Sequence, residues 1–114
     1  MPRIKEISVP DLHRMLRQHD NFELVDIRTR AEIERGVLPG ARTLPMHMVP
    51  LKLTYFSECR KQIVIYCRTG SRSAQVCRFL SQQGIHNAIS LRGGLVKWTA
   101  SGHPLDPQAS GTIA

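Results

Sequence analysis

The chain has 114 residues, 41% of them hydrophobic, with 16 basic and 9 acidic residues. This length has room for one hydrophobic core, and no apolar run approaches the ~20 residues that cross a bilayer. The formal charge of +7 is scattered along the chain among few aromatic residues, which indicates a small anionic ligand or an acidic partner rather than nucleic acid.

Hydrophobic patterning predicts strands that alternate with helices. The predicted strands are short apolar runs: 4–8, 22–27, 42–44, 63–66 and 88–91. The predicted helical segments are one from residue 9 onwards and those at 31–35, 49–56, 73–83 and 94–98. In the segment 49–56, Pro50 is compatible only with the first helical turn.

This alternation predicts an α/β fold, in which about five short parallel strands form a small sheet with helices on both faces. We expect a single domain over 1–105. Prolines and glycines near the end of the chain predict a flexible C-terminal tail over 106–114.

The three cysteines, Cys59, Cys67 and Cys77, have no paired spacing, and no histidine lies near Cys59 or Cys67 at zinc-site spacing. We therefore expect no disulfide framework, no metal and no cofactor. The N-terminus lacks the apolar segment of a secretory signal, so a cytoplasmic location without membrane attachment is expected.

A short loop between the strand at 63–66 and the following helix is the candidate active site. A cysteine in this position faces helix N–H groups that lack intrahelical partners, and it lies at the positive end of the helix dipole. Both stabilise a thiolate, which is the form that attacks sulfur or phosphorus. Cys67 is the predicted nucleophile. The predicted ligand-binding residues complete the loop: Arg68, Thr69, Gly70, Ser71, Arg72 and Ser73.

The other two cysteines are predicted to have no role in the chemistry. Val76, Cys77 and Leu80 share one helix face, which we expect to pack against the sheet. Cys59 lies in a polar stretch and is expected to be partly exposed. Trp98 is expected in the core.

Four segments in a fixed order carry a family resemblance. Residues 24–33 contain a strand followed by Asp-x-Arg, 36–41 end in Pro-Gly-Ala, 66–73 contain the cysteine loop, and 91–98 contain Gly-Gly-x-x-x-Trp. Over about residues 4–105 the chain resembles the single-domain rhodaneses, the thiosulfate sulfurtransferase family. It departs from them at Val37, where many members have a histidine that is more often structural than catalytic.

The resemblance implies a sulfurtransferase. The Cys67 thiolate would take the outer sulfur of thiosulfate or a related persulfide donor and carry it as a persulfide. A thiophilic acceptor would then remove that sulfur: cyanide in vitro, a thiol or a sulfur-carrier protein in the cell. The resemblance also implies that Asp26 and Arg28 support the loop from a neighbouring strand.

Two alternatives remain open from the sequence. Phosphatases and arsenate reductases on a similar scaffold use Cys-x5-Arg, whereas here four residues separate Cys67 from Arg72 and Ser73 occupies the phosphatase arginine position. The shorter loop favours one sulfur atom over a phosphate. A non-catalytic interaction module is the second alternative, and the retained Cys67 disfavours it.

Overall fold

The fold contains one sheet of five parallel strands: β1 (Lys5–Ile7), β2 (Phe22–Asp26), β3 (Arg42–Thr43), β4 (Gln62–Tyr66) and β5 (Ala88–Leu91). The order of the strands across the sheet is β1-β5-β4-β2-β3. The computed structural model describes residues 3–114. The central strand, β4, is buried along Ile63–Tyr66 because helices cover both of its faces, which explains its continuous apolar run. The predicted α/β class and parallel sheet are confirmed.

The helices are α1 (Val9–Arg17), α2 (Arg30–Ile33), a 3-10 helix (Met46–Lys52), α3 (Leu53–Glu58), α4 (Ser71–Gln82) and α5 (Gly94–Ala100). Among residues 3–114, no helix has the length and apolar character needed to cross a membrane. Alternate residues of β4 contact two separate apolar clusters. Ile63 and Ile65 pack under α3 and α4, whereas Val64 and Tyr66 pack under α1 and α5.

The segment around Pro50 differs from its prediction. A single helix was expected over 49–56, with Pro50 in its first turn, but Pro50 lies inside a 3-10 helix that begins at Met46. The α-helical part starts only at Leu53, after Pro50, whose missing N–H cannot join an α-helical hydrogen-bond ladder.

The C-terminal segment contacts the sheet edge, which the expectation of a flexible tail did not include. Ile113 is 4% exposed, and its N–H donates to the Thr43 carbonyl at 2.9 Å. The Thr43 N–H in turn donates to the Gly111 carbonyl at 2.9 Å. The physical reason is that β3 is an edge strand, whose outer backbone groups need partners that the last residues provide. The boundary at residue 105 stays a prediction.

Candidate active site

The cysteine loop follows the central strand of the sheet. Cys67 comes directly after β4, and the chain turns at Gly70, with φ of +107°, into the first residue of α4, Ser71. The carboxyl ends of parallel strands form the edge at which open α/β sheets bind ligands. The loop therefore lies where the sequence predicts the active site.

Backbone N–H groups of the loop point at the sulfur of Cys67. The Gly70 N–H donates to Sγ at 3.1 Å, and the Ser73 N–H donates to it at 3.4 Å. Burial raises the pKa of the Cys67 thiol, but hydrogen bonds from the Ser73 amide and hydroxyl and from the Gly70 and Thr69 amides outweigh burial. The net pKa lies below the ordinary thiol value, so the site favours a thiolate.

A pair of buried serines lies beneath the sulfur. The Ser73 Oγ lies 3.7 Å from the Cys67 Sγ, 2.7 Å from the Ser90 Oγ and 3.1 Å from the Gly70 carbonyl oxygen, so its single proton can be donated to only one of these atoms at a time. Ser90 is fully buried on β5. Ser90 was not among the predicted site residues; the available signal was a serine inside an otherwise apolar strand.

The first turn of α5 holds the loop backbone from the other side. The Leu95 N–H donates to the Cys67 carbonyl and the Val96 N–H to the Arg68 carbonyl, each at 3.0 Å. Gly94 permits this approach, because a Cβ there would lie 2.5 Å from the Cys67 oxygen and 2.6 Å from the Arg68 oxygen. The Gly-Gly pair of the sequence thus shapes the active loop.

The two loop arginines occupy different environments. Arg72 donates to both carboxylate oxygens of Glu32, at 2.8 and 2.9 Å, and this pairing, despite partial burial, lowers the pKa of Glu32 to about 2. Glu32 also closes a capping box with Thr29. Arg68 is exposed and has no ion pair or side-chain hydrogen bond among residues 3–114. Arg68 is therefore the loop cation available to a ligand.

Asp26 and Arg28 form a buried ion pair with an N–O distance of 2.7 Å. Arg28 also donates to the Glu32 carbonyl at 3.3 Å and to the Gly36 carbonyl at 2.7 Å. These bonds fix the segment that carries Glu32, so the Glu32–Arg72 bridge connects the pair to the loop. Asp26 also lies opposite Tyr66, the residue before Cys67, in the pairing of β2 with β4. The support of the loop by this pair stays a prediction.

The remaining cysteines lie away from this network. Cys77 is buried, and this burial raises the pKa of its thiol to about 12. Cys59 is partly exposed, and Trp98 is 1% exposed in the core. Their predicted placements are confirmed.

Comparison with known proteins identifies the family. The model of the rhodanese-like domain matches residues 8–101. The chain belongs to the rhodanese family. A sulfurtransferase of Allochromatium vinosum is 42% identical over 90% of this chain and 94% of its own length. This rhodanese is accordingly a sulfurtransferase of that family.

Two further comparisons extend this result. YrkF of Bacillus subtilis, provisionally named a sulfur carrier protein, is 27% identical over 84% of this chain and 51% of its own length. The crystal structure of a rhodanese-related protein from Thermoplasma volcanium superposes with a TM-score of 0.80 and 26% identity, over 91% of this chain and 99% of that one. The similarity covers the sheet and helices that position the loop.

Proposed function

We propose that this rhodanese transfers sulfane sulfur from thiosulfate or a related persulfide through a persulfide on Cys67. The observation that carries the proposal is the pair of amide N–H groups, from Gly70 and Ser73, that point at the Cys67 sulfur. Such donors stabilise the attacking thiolate and would also stabilise negative charge on the outer sulfur of the persulfide.

The transfer proceeds in two steps, in each of which one bond to the transferred sulfur forms and another breaks. In the first, the Cys67 thiolate attacks the outer sulfur of thiosulfate, the sulfur–sulfur bond of the donor breaks, and sulfite leaves with the bonding electron pair. In the second, an acceptor such as cyanide attacks the outer sulfur of the Cys67 persulfide and releases the thiolate. Arg68 would hold the oxygens of the anionic donor, since Arg72 is occupied by Glu32.

The loop residues have distinct places in this proposal. Gly70 and Ser73 supply the amide donors and Thr69 adds its amide to the stabilisation of the thiolate. Ser71 begins α4 and is exposed beside the loop. Arg72 holds the first turn of α4 to α2 rather than binding the donor directly.

We further propose that the cellular acceptor is a thiol or a sulfur-carrier protein, in a cytoplasmic sulfur relay. The similarity to YrkF supports a sulfur-transfer context for this chain. The formal charge of +7 favours approach of an acidic partner.

Steady-state thiocyanate formation from thiosulfate and cyanide tests the proposal. We expect Cys67→Ser to abolish turnover and Cys77→Ser, the matched buried cysteine, to retain it. Arg68→Ala is expected to raise the KM for thiosulfate about tenfold or more, because it removes a charge-assisted hydrogen bond worth about 1.5–3 kcal/mol. Turnover by the Cys67→Ser variant would refute the mechanism.

A further inference from the structure

A groove of about 480 Å³ adjoins the active loop between α2 and α5. Glu32 and Arg35 line it on the α2 side, Val96 lines it on the α5 side, and Arg68 of the loop and Leu105 complete the lining. This volume lies within the roughly 300–1,000 Å³ that is typical of sites for small organic ligands. An inorganic anion such as thiosulfate would fill only a small part of it.

Two guanidinium groups in this groove are available to a ligand. The side chains of Arg35 and Arg68 are exposed, and neither forms an ion pair or a side-chain hydrogen bond within residues 3–114. The other charges of the lining are compensated, because Glu32 is paired with Arg72 and Arg28 is paired with Asp26. The groove therefore attracts anions.

We infer that Arg35 is a specificity-determining residue, which binds a carboxylate of an organic thiol or persulfide lying in this groove with its sulfur at the active loop. The inference rests on the proposed function and names its substrate class. Arg68, which follows Cys67 directly in the chain, is available to a small inorganic donor without Arg35. A second free guanidinium, that of Arg35 just after α2, together with the apolar contacts of Val96 and Leu105, suits a longer molecule with an aliphatic stem and a terminal carboxylate.

The reaction with such a molecule needs no outside oxidant or reductant. The Cys67 thiolate attacks the outer sulfur of the persulfide R–S–SH, a new sulfur–sulfur bond forms, and R–S⁻ leaves with the electron pair of the broken bond. The proton stays on the outer sulfur. The same step in reverse delivers sulfur from the Cys67 persulfide to the thiolate R–S⁻.

Single-turnover loading of Cys67 by two organic persulfides tests the inference. Glutathione persulfide carries carboxylates, whereas cysteamine persulfide carries none. Intact-protein mass spectrometry follows the gain of one sulfur atom, and the readout is the ratio of the two second-order rate constants. We expect Arg35→Ala to lower this ratio at least tenfold and Arg35→Lys to lower it less. Arg17→Ala, which removes an exposed arginine on α1 with the same change of charge, is expected to keep the wild-type ratio.

The outcomes separate the inference from the proposed function. An unchanged ratio in Arg35→Ala, with normal loading of the wild type, overturns the role of Arg35 alone. An equal decrease of the loading rate constant for both persulfides in Arg35→Ala also overturns it, because Arg35 then does not distinguish a donor with a carboxylate from one without. Failure of the wild type to load from any donor overturns the proposed function itself.

Discussion

Gly94→Ala is predicted to damage the active loop through backbone contact alone. The new Cβ would lie 2.5 Å from the Cys67 carbonyl oxygen, where ordinary contact begins at 3.4 Å, so α5 and the loop must separate by about 0.9 Å, the difference of the two. The neighbouring atoms belong to the backbone, so no side-chain rotation can relieve the contact. The separation breaks or stretches the two hydrogen bonds that Leu95 and Val96 donate to the loop.

The expected cost combines two effects. Gly94 has a φ of +56°, and a left-handed alanine costs about 1–2 kcal/mol. Each lost hydrogen bond adds about 0.5–1.5 kcal/mol. We therefore expect the free energy of unfolding to fall by about 2–5 kcal/mol relative to the wild type. We also expect slower loading of Cys67, because the amides that face its sulfur move with the loop.

Gly102 offers a matched control after the other end of α5. It has a similar φ, +83°, but a Cβ there meets nothing within 4 Å, so Gly102→Ala reports the backbone strain alone. Urea unfolding gives the stabilities, and mass spectrometry after thiosulfate treatment gives the loading rates. Equal stability and equal loading in the two variants would refute the contact argument.

Three other changes test the supporting network. Glu32→Gln is expected to lower the free energy of unfolding by about 1 kcal/mol. The folded-state pKa of Glu32 is lowered from 4.5 to about 2, so urea titrations at a series of pH values should show the full loss above pH 4.5 and a loss that shrinks as the pH falls towards 2. Ser90→Ala is expected to slow persulfide formation several-fold in single-turnover loading assays and to lower the free energy of unfolding by about 1 kcal/mol, since Ser73 loses its hydrogen-bond partner at 2.7 Å. Ile113→Ala is expected to cost about 2 kcal/mol or more in urea unfolding, because the side chain is 4% exposed.

For each of these three variants, one outcome would contradict the prediction. A Glu32→Gln effect that stays constant from pH 7 to about pH 2 would contradict the lowered pKa of Glu32. Wild-type loading in Ser90→Ala would show that the buried serine pair does not influence the thiol. An Ile113→Ala variant as stable as the wild type would mean that the C-terminal segment does not contribute to the core.

The position of the candidate nucleophile, Cys67, could be predicted because the signal is local. A buried apolar strand, a short loop with a glycine and a helix start are contiguous in sequence, and together they direct amides at Cys67. The buried position of Cys77 could be predicted as well, since helix periodicity decides which face of α4 is buried.

The partners of the loop could not be predicted, because they depend on the fold. Glu32 is visible in sequence as the end of a capping box that starts at Thr29, but its bond to Arg72 joins residues 40 positions apart and requires β2 to lie beside β4. Ser90 reaches Ser73 only because β5 lies on the other side of β4. The tail contacts of Ile113 likewise require knowing which strand forms the sheet edge.

Intact-protein mass spectrometry after thiosulfate treatment, with a cyanide chase, detects directly whether Cys67 carries a persulfide. We expect the wild type to gain one sulfur atom, cyanide to remove it as thiocyanate, and Cys67→Ser to gain none. A sulfur gain in Cys67→Ser equal to that of the wild type would contradict the assignment of Cys67. A wild type that gains no sulfur from thiosulfate, polysulfide or glutathione persulfide would contradict the persulfide mechanism as a whole.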